Sequence, residues 1–235
     1  MPNQSSDLSR AFIESFNGYL RANNVERQFT LVNIDRPSLN NIVKSGKPYL
    51  ILWANQLWFK KQDAQVKTSW PIFWDADVWV SQKQKPIAYE APDDLLGKTI
   101  GVRKGFYYKG ITPLIAEGKI KVMEGESYQA GLDRLMGDQV EAFVMSRSSL
   151  LYWFSTDFDA ASVFIAQSPH DAFTRNLLYS RHYLPLVLTL EKFLVALEEN
   201  DQWQRKLKFW GVDSLPTPIE LELEELIQYP VEKVK

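Results

Sequence analysis

The sequence contains no cysteine, which excludes disulfide bonds, thiolate metal sites and cysteine nucleophiles. It has no run of about 18 apolar residues, so no transmembrane helix is predicted. The polar first six residues lack the apolar region of a signal peptide. The formal net charge of −2 gives no reason to expect nucleic-acid binding, which would favour a basic patch.

Histidine is also scarce: only His170 and His182 occur, and they do not form the His-x-x-x-His pair of zinc enzymes. The segments 75–77 and 157–159 each place two Asp residues two apart. Both lack the Gly and distal Glu of a calcium loop, so solvated acidic turns are the simpler interpretation. Gly101 and Gly105 follow a predicted strand, but the Gly-Lys-[Ser/Thr] ending of a phosphate loop is missing. We therefore predict no metal, no cofactor and no bound nucleotide.

Residues 97–153 alternate between short β-rich runs and helical patterns. The predicted elements are strands over Thr99–Arg103, Ile120–Met123 and Val140–Met145, a helix from Thr112 to Gly118 and a helix ending at Gly137. This alternation predicts an α/β fold with a parallel sheet covered by helices. Ligands of such sheets bind beyond the carboxyl ends of the strands, which are here residues 103–107 and 145–147.

The rest of the chain predicts more helices and strands. We expect helices over 6–20, from Asp35 to Gly46, and after Pro185 and Asp201; we expect strands over 29–34, 49–53, 162–166 and 173–180, and one through Val78 and Val80. Residues 54–69 form a predicted polar loop and residues 83–92 a predicted connector. The tail, 215–235, contains an acidic run and is expected on the surface.

Two segments also carry a resemblance to a known family. LLGKTIGVRKG (95–105) and GLDRLMGDQVEAFV (131–144) resemble, in order and spacing, the second lobe of bacterial extracytoplasmic solute-binding proteins of the polar amino-acid type, which serve ABC transporters. Ser69-Trp70-Pro71-Ile72 is similar to a corner in the same family. The resemblance implies a two-lobe, type II periplasmic-binding-protein-like fold with a hinged interlobe cleft. Lobe one would be residues 1–83 plus 174–235, and lobe two residues 84–173.

The chain departs from the family pattern at several places. The family opens with a strand that is missing here, was trimmed, or is replaced by something else. Amino-acid binders carry an Arg that clamps the ligand carboxylate, yet no Arg occurs between Asn40 and Gly101. Phe106 stands at the place of a hydroxyl residue, Glu141 at that of an Asp, and Ser146 at that of the Asp that pairs with the ligand ammonium. The resemblance thus implies a ligand other than a standard α-amino acid bound in the usual way, and favours an anionic or aromatic one.

The predicted ligand-binding residues come from the strand ends and from the aromatic residues near them. They are Trp53, Asn55, Leu57, Trp70 and Trp74 in lobe one, and Arg103, Phe106, Tyr107, Ser146 and Arg147 in lobe two. For Arg103, an exposed side chain beside Lys104 is an equally good interpretation. Aromatic side chains also fill cores, so packing is the alternative for the Trp and Tyr residues. We predict no catalytic residue.

The resemblance implies a periplasmic monomer, its signal peptide removed, that binds a small molecule and delivers it to a membrane permease. Three alternatives remain open: a detached sensor domain, a periplasmic dehydratase-like enzyme, and the effector domain of a transcription regulator. An enzyme would need an acid in the cleft, for which Glu141 or Asp75 would be tested first. No attached helix-turn-helix is predicted, which argues against the regulator.

Overall fold

The computed structural model describes residues 4–59, 66–156, 159–209 and 212. The chain divides into two compact units. Unit 1 contains residues 1–33, 40–74 and 174–235, and unit 2 contains residues 34–39 and 75–173. The predicted boundary between residues 83 and 84 is thus replaced by one between 74 and 75, because residues 77–82 pair with strands of unit 2.

Unit 1 combines helices with a small antiparallel sheet. Its elements are α1 (Gln4–Ala22), most of α2 (Arg36–Lys44), β1 (Leu50–Ala54), β2 (Lys67–Thr68), α6 (Val187–Glu198) and α7 (Asp201–Phe209). Both β1 and β2 pair antiparallel with β8 (Asp171–Tyr179), whose last six residues belong to this unit. The Trp210 and Gly211 end of the last predicted helix and the tail 215–235 lie outside the described residues.

An aromatic core holds unit 1 together. The apolar face of α1 is buried: Phe12, Phe16 and Leu20 are at most 1% exposed. The Phe12 ring contacts Phe193 of α6 at a centroid distance of 5.3 Å and Trp203 of α7 at 6.0 Å. Apolar burial of this kind is the main favourable term in folding.

The strand predicted over residues 29–34 is wrong, because this segment has no regular secondary structure. The side-chain amide of Asn17 donates to the Phe29 carbonyl and accepts from the Phe29 N–H, both at 2.8 Å. These are the two bonds that a neighbouring strand would otherwise make. Val32 and Ile34 are exposed, so the alternating pattern does not reflect a buried face. Within residues 4–49 the structure contains no strand.

Unit 2 is a mixed sheet covered by helices. Its strands are β3 (Phe73–Gln82), β4 (Thr99–Arg103), β5 (Lys121–Gly125), β6 (Ala142–Ser146) and β7 (Val163–Ile165). Its helices are α3 (Ile111–Ala116), α4 (Tyr128–Met136) and α5 (Arg147–Thr156). Strand β4 pairs in parallel with β5 and β6, as predicted, whereas β3 is antiparallel to both β6 and β7.

The two faces of this sheet carry separate apolar clusters. One contains Trp79, Tyr89, Val102 and Tyr108, and the other contains Phe143 together with residues of β3 and α4. The cap of α4 is Ser127, whose hydroxyl accepts from the Ala130 N–H at 3.1 Å. No helix among the described residues is both long and apolar enough to cross a membrane.

Candidate ligand-binding site

The carboxyl ends of three strands meet at one edge of unit 2. Because β4 pairs in parallel with β5 and β6, Arg103, Gly125 and Ser146 all lie at this edge. Strand β3 runs the other way and places Asp77 directly opposite Ser146. In open α/β sheets this edge is where ligands bind. Five of the predicted site residues, Arg103, Phe106, Tyr107, Ser146 and Arg147, belong to β4, β6 or the segments that follow them.

Two aromatic rings contact the guanidinium of Arg103. Its central carbon lies 4.7 Å from the centroid of the Tyr128 ring and 5.3 Å from that of Phe106. These are cation–π distances. Arg36, from the first turn of α2, lies over the same Phe106 ring at 5.5 Å, and burial lowers its pKa to about 10. Arg36 therefore keeps its positive charge at neutral pH.

Ser146 ends β6 in a short chain of hydroxyl groups. It is buried, and its Oγ donates to the Oγ of Ser149 at 2.8 Å. The Tyr128 hydroxyl donates to the same Ser146 oxygen at 3.5 Å. Arg147 follows as the exposed first residue of α5, while Tyr107 is 67% exposed. Tyr128 and Arg36 did not appear among the predicted site residues, because no motif links them to the strand ends.

Asp75 is not part of a solvated acidic turn, as the sequence suggested, but a buried residue of β3. Its carboxylate accepts from the Ser148 N–H at 3.1 Å, from the Ser148 hydroxyl at 2.7 Å and from the Ala76 N–H at 2.9 Å. It thus satisfies the Ser148 N–H at the first turn of α5, which has no partner within the helix. The other acid considered for an enzyme, Glu141, binds the Thr99 N–H at 2.8 Å at the amino edge of the sheet, opposite the site.

Replacing Asp75 with alanine is expected to lower the free energy of unfolding by about 2 kcal/mol, because buried N–H and hydroxyl groups lose their acceptor. Urea denaturation of the variant measures this loss. Asp159→Ala is the matched control: the Asp159 carboxylate caps a short 3-10 helix through the Ala161 N–H at 2.9 Å but is exposed. A loss for Asp75→Ala no larger than the control's would contradict the structural role.

Trp53 was predicted to contact the ligand, but the structure places its ring in the core of unit 1. Only 8% of the residue is exposed. Its indole N–H donates to the Ser9 hydroxyl at 2.8 Å, and its ring lies 5.1 Å from Phe12 and 5.5 Å from Phe73. The register of β1 shifts between Ile51 and Ala54, and such a bulge turns side chains to the opposite face. The ring is therefore unavailable to a ligand.

The remaining predicted residues of unit 1 stay near the surface. Leu57 is 59% exposed, Trp74 46% and Trp70 37%. The Asn55 side chain accepts from the Leu57 N–H at 3.0 Å and donates to the Thr174 carbonyl at 3.3 Å. The positions expected for the missing Arg clamp, Gln62 and Asp63, lie outside the described residues.

Arg175 is a cation of unit 1 that the sequence prediction missed. It comes from β8, and its guanidinium donates to the Trp53 carbonyl at 2.8 Å and lies 5.1 Å from the Trp58 ring centroid. The two residues of the first contact are 122 positions apart, so no local motif signals it. The sequence does contain one local signal for Arg175: three polar residues, Thr-Arg-Asn, interrupt the apolar residues of β8.

A cluster of aromatic and polar side chains lies on the face of the unit 2 sheet that Trp79 and Tyr89 share. The Tyr89 hydroxyl and His170 Nδ1 are 2.8 Å apart, and the rings of Trp79 and Tyr108 lie about 6 Å from the imidazole. His170 Nε2 is buried with no hydrogen-bond partner among the described residues. Burial lowers the pKa of His170, and the nearby Asp171 opposes this shift only in part. The imidazole is therefore neutral in the folded protein at pH 7.

Stability is expected to fall as the pH drops from 7.5 to 5.5. The folded-state pKa of His170 is below its unfolded value, so the unfolded chain takes up the proton first. The slope approaches about 1.4 kcal/mol per pH unit at most for one proton. Urea denaturation at both pH values tests this, with His182→Gln, at an exposed position, as the control. His170→Gln should flatten the profile, and an unchanged profile would contradict this assignment.

A separate cavity of about 350 Å³ lies at the amino edge of the same sheet. It is lined by Lys85, Lys98, Asp138, Glu141 and four other residues, and Lys85 forms an ion pair with Asp138. Because this cavity is at the edge opposite the candidate site, ligand binding there can be told apart from binding at the carboxyl ends of the strands. The described residues contain no group of three or more His, Asp or Glu side chains that could hold a metal ion.

Comparison with solved structures identifies similar folds. A mutant of ArgBP from T. maritima matches with a TM-score of 0.67 at 14% identity, covering 87% of this chain and 84% of that one. The GluR0 ligand-binding core from Nostoc punctiforme, in complex with L-glutamate, matches with a TM-score of 0.68 at 18% identity, covering 86% and 90%.

A third match is AbpA from Streptococcus pneumoniae, an amino acid ABC transporter substrate-binding protein bound to L-arginine. Its TM-score is 0.65 at 13% identity, covering 87% of this chain and 83% of that one. The chain has the fold of these proteins. The predicted type II periplasmic-binding-protein-like fold class is thus confirmed. Comparisons with family models and with curated proteins give no match.

Proposed function

We propose that the chain is an extracytoplasmic solute-binding protein, a divergent relative of the polar amino-acid type. In this proposal it binds a small solute in the cleft predicted between its lobes and delivers it to a membrane permease. The observation that carries the proposal is the fold shared with AbpA and ArgBP, together with a charged and hydroxyl-rich edge at the carboxyl ends of β4 and β6. The proposed protein is a periplasmic monomer.

The proposed ligand is not a standard α-amino acid bound in the usual way. Ser146 cannot supply the negative charge that an ammonium group needs, and Asp75 is engaged by α5. Burying an unpaired ammonium group would cost several kcal/mol, so a replacement charge would be required. Trp70, Trp74, Leu57 and Asn55 remain the proposed contacts of unit 1. In unit 2 they are Arg103, Phe106, Tyr107, Ser146 and Arg147.

A sensor domain is the second candidate, favoured by the likeness to the GluR0 ligand-binding core. Ligand binding is common to both candidates, and only the partner differs. The dehydratase-like alternative has less support, because Asp75 caps a helix and Glu141 lies at the opposite edge of the sheet.

A thermal-shift screen tests the proposed function. Amino acids, organic acids and aromatic solutes are added one at a time, and at least one class is expected to raise the melting temperature. A ligand at 100 times its Kd stabilises the folded state by about 2.7 kcal/mol through mass action. A screen in which no compound stabilises the protein, while isothermal titration confirms that none binds, would contradict the proposal.

A further inference from the structure

The guanidinium of Arg103 contacts two rings, and no acceptor for its N–H groups is found in the part of the chain that the structure describes. Its described contacts are the cation–π interactions with Phe106 and Tyr128. The described hydrogen bonds of the residue involve its backbone: its N–H donates to the Tyr108 hydroxyl at 3.3 Å, and its carbonyl accepts from the Phe106 N–H at 3.4 Å. None of the described ion pairs includes Arg103. The planar N–H edge of a guanidinium matches a carboxylate in two parallel hydrogen bonds.

The negative charges near this edge are already engaged. Glu126 pairs with Lys104 at 3.4 Å, and Asp75 accepts from Ser148 and Ala76. Asp77 lies opposite Ser146 and has a further interaction in the structure. Burial raises the pKa of Tyr108, the charge of Asp77 adds to this shift, and the charge of Arg103 opposes it. Arg103, two residues after Gly101, begins on the face that Phe143 occupies. Among the described residues, no hydrogen bond or ion pair joins the Arg103 guanidinium to an acidic side chain.

A second guanidinium lies over one of these rings. Arg36 and Arg103 both lie within 6 Å of the centroid of the Phe106 ring. Arg36 is largely buried, and its pKa, about 10, leaves it protonated at neutral pH. Arg36 also has a further interaction in the structure, so Arg103 is the guanidinium whose N–H groups are offered to a ligand carboxylate.

We propose that the ligand of the proposed function is an organic carboxylate without an adjacent ammonium group, and that Arg103 binds its carboxylate. The rings of Phe106 and Tyr128 hold the guanidinium in place. The hydroxyl groups of Ser146 and Ser149 supply neutral hydrogen-bonding groups where an amino-acid binder would carry a negative charge.

Isothermal titration with matched pairs of acids tests this proposal. The pairs are succinate and aspartate, glutarate and glutamate, and 3-phenylpropionate and phenylalanine, with phenethylamine and inorganic phosphate as further probes. We expect at least one acid to bind at least tenfold more tightly than its amino counterpart, and phenethylamine not to bind. Equal or tighter binding of the amino acids would overturn the inference while leaving solute binding intact, with Asp77 the first residue to examine. Binding of phosphate alone would overturn the carboxylate class.

Variants then test the role of Arg103. Arg103→Gln is expected to weaken acid binding by a factor of about 30 or more, as for loss of one partner of a buried charge pair. Arg103→Lys keeps the charge without the planar fork and should recover part of the affinity. Lys121→Gln removes an exposed positive charge at the amino end of β5 and should leave binding unchanged.

The outcomes separate the inference from the proposed function. Melting curves of both Arg103 variants establish that they fold, and Arg103→Lys provides the test if Arg103→Gln does not. Acid binding that is unaffected by a folded Arg103 variant would overturn the assignment of Arg103 alone. Failure of every probe and every compound of the thermal-shift screen to bind would overturn the proposed function and the inference with it.

Discussion

Trp53→Ala is expected to lower the free energy of unfolding by about 3–5 kcal/mol, the range for deleting a large buried aromatic side chain. The indole packs against Phe12, Phe73 and Trp203, and its loss leaves a cavity among them. The variant also loses the hydrogen bond from the indole N–H to the Ser9 hydroxyl. Urea denaturation followed by circular dichroism measures the change.

The backbone of Trp53 strengthens this expectation. Its φ of 57° is in the left-handed region, which a bulky residue rarely adopts. Packing around the ring and the bond from Arg175 to the Trp53 carbonyl hold this conformation. Trp70→Ala is the matched control, because Trp70 is partly exposed and its loss should cost less than about 1 kcal/mol. Similar losses in the two variants would show that Trp53 is not a core residue.

Gly131→Ala is expected to destabilise unit 2 by about 3 kcal/mol, because overpacking a filled core forces atoms to move. A Cβ at Gly131 would overlap the ring of Phe143. The ring cannot retreat, because Gly101 lies on its other side and a Cβ there would be 2.9 Å from Phe143 Cδ2. Two glycines in neighbouring elements thus make room for one fully buried ring.

Thermal unfolding of Gly131→Ala measures this cost, with Gly18→Ala as the control. A Cβ at Gly18, in α1, meets only the end of the Arg21 side chain at 3.8 Å. Alanine is the better helix former, so Gly18→Ala should raise stability by about 0.5–1 kcal/mol. If Gly131→Ala were neutral or stabilising, the described packing around Phe143 would be wrong.

Strand β4 and the end of α4 could be predicted because the sequence patterns that specify them span only a few neighbouring residues. The strand predicted over Thr99–Arg103 matches β4 without change, and the predicted end of α4 at Gly137 agrees with the C-cap observed there. Apolar runs bounded by Gly carry this information in a few consecutive residues. The sequence predicted Thr112 as the cap of α3, two residues late, because Gly110 is the cap and the Thr112 hydroxyl instead accepts from the Tyr108 N–H.

The errors arose where distant residues decide the structure. Residues 29–34 alternate like a strand, but the Asn17 side chain takes the backbone bonds of Phe29. Asp75 was predicted in a polar turn, because its hydrogen-bond partner, Ser148, is 73 positions away in the chain. Trp53 was predicted to contact the ligand, because the alternation of apolar residues does not reveal the register shift in β1. A single sequence does not record such pairings.

Hydrogen exchange with a bound ligand shows at which edge of the unit 2 sheet the ligand binds. The compound with the largest thermal shift is added at saturation, and exchange rates of backbone amides are compared with those of the free protein. Slowed exchange is expected at residues 103–108 and 146–149, at and beyond the carboxyl ends of β4 and β6. Protection confined to residues 82–87 and 138–141, around the cavity at the amino edge, would contradict it.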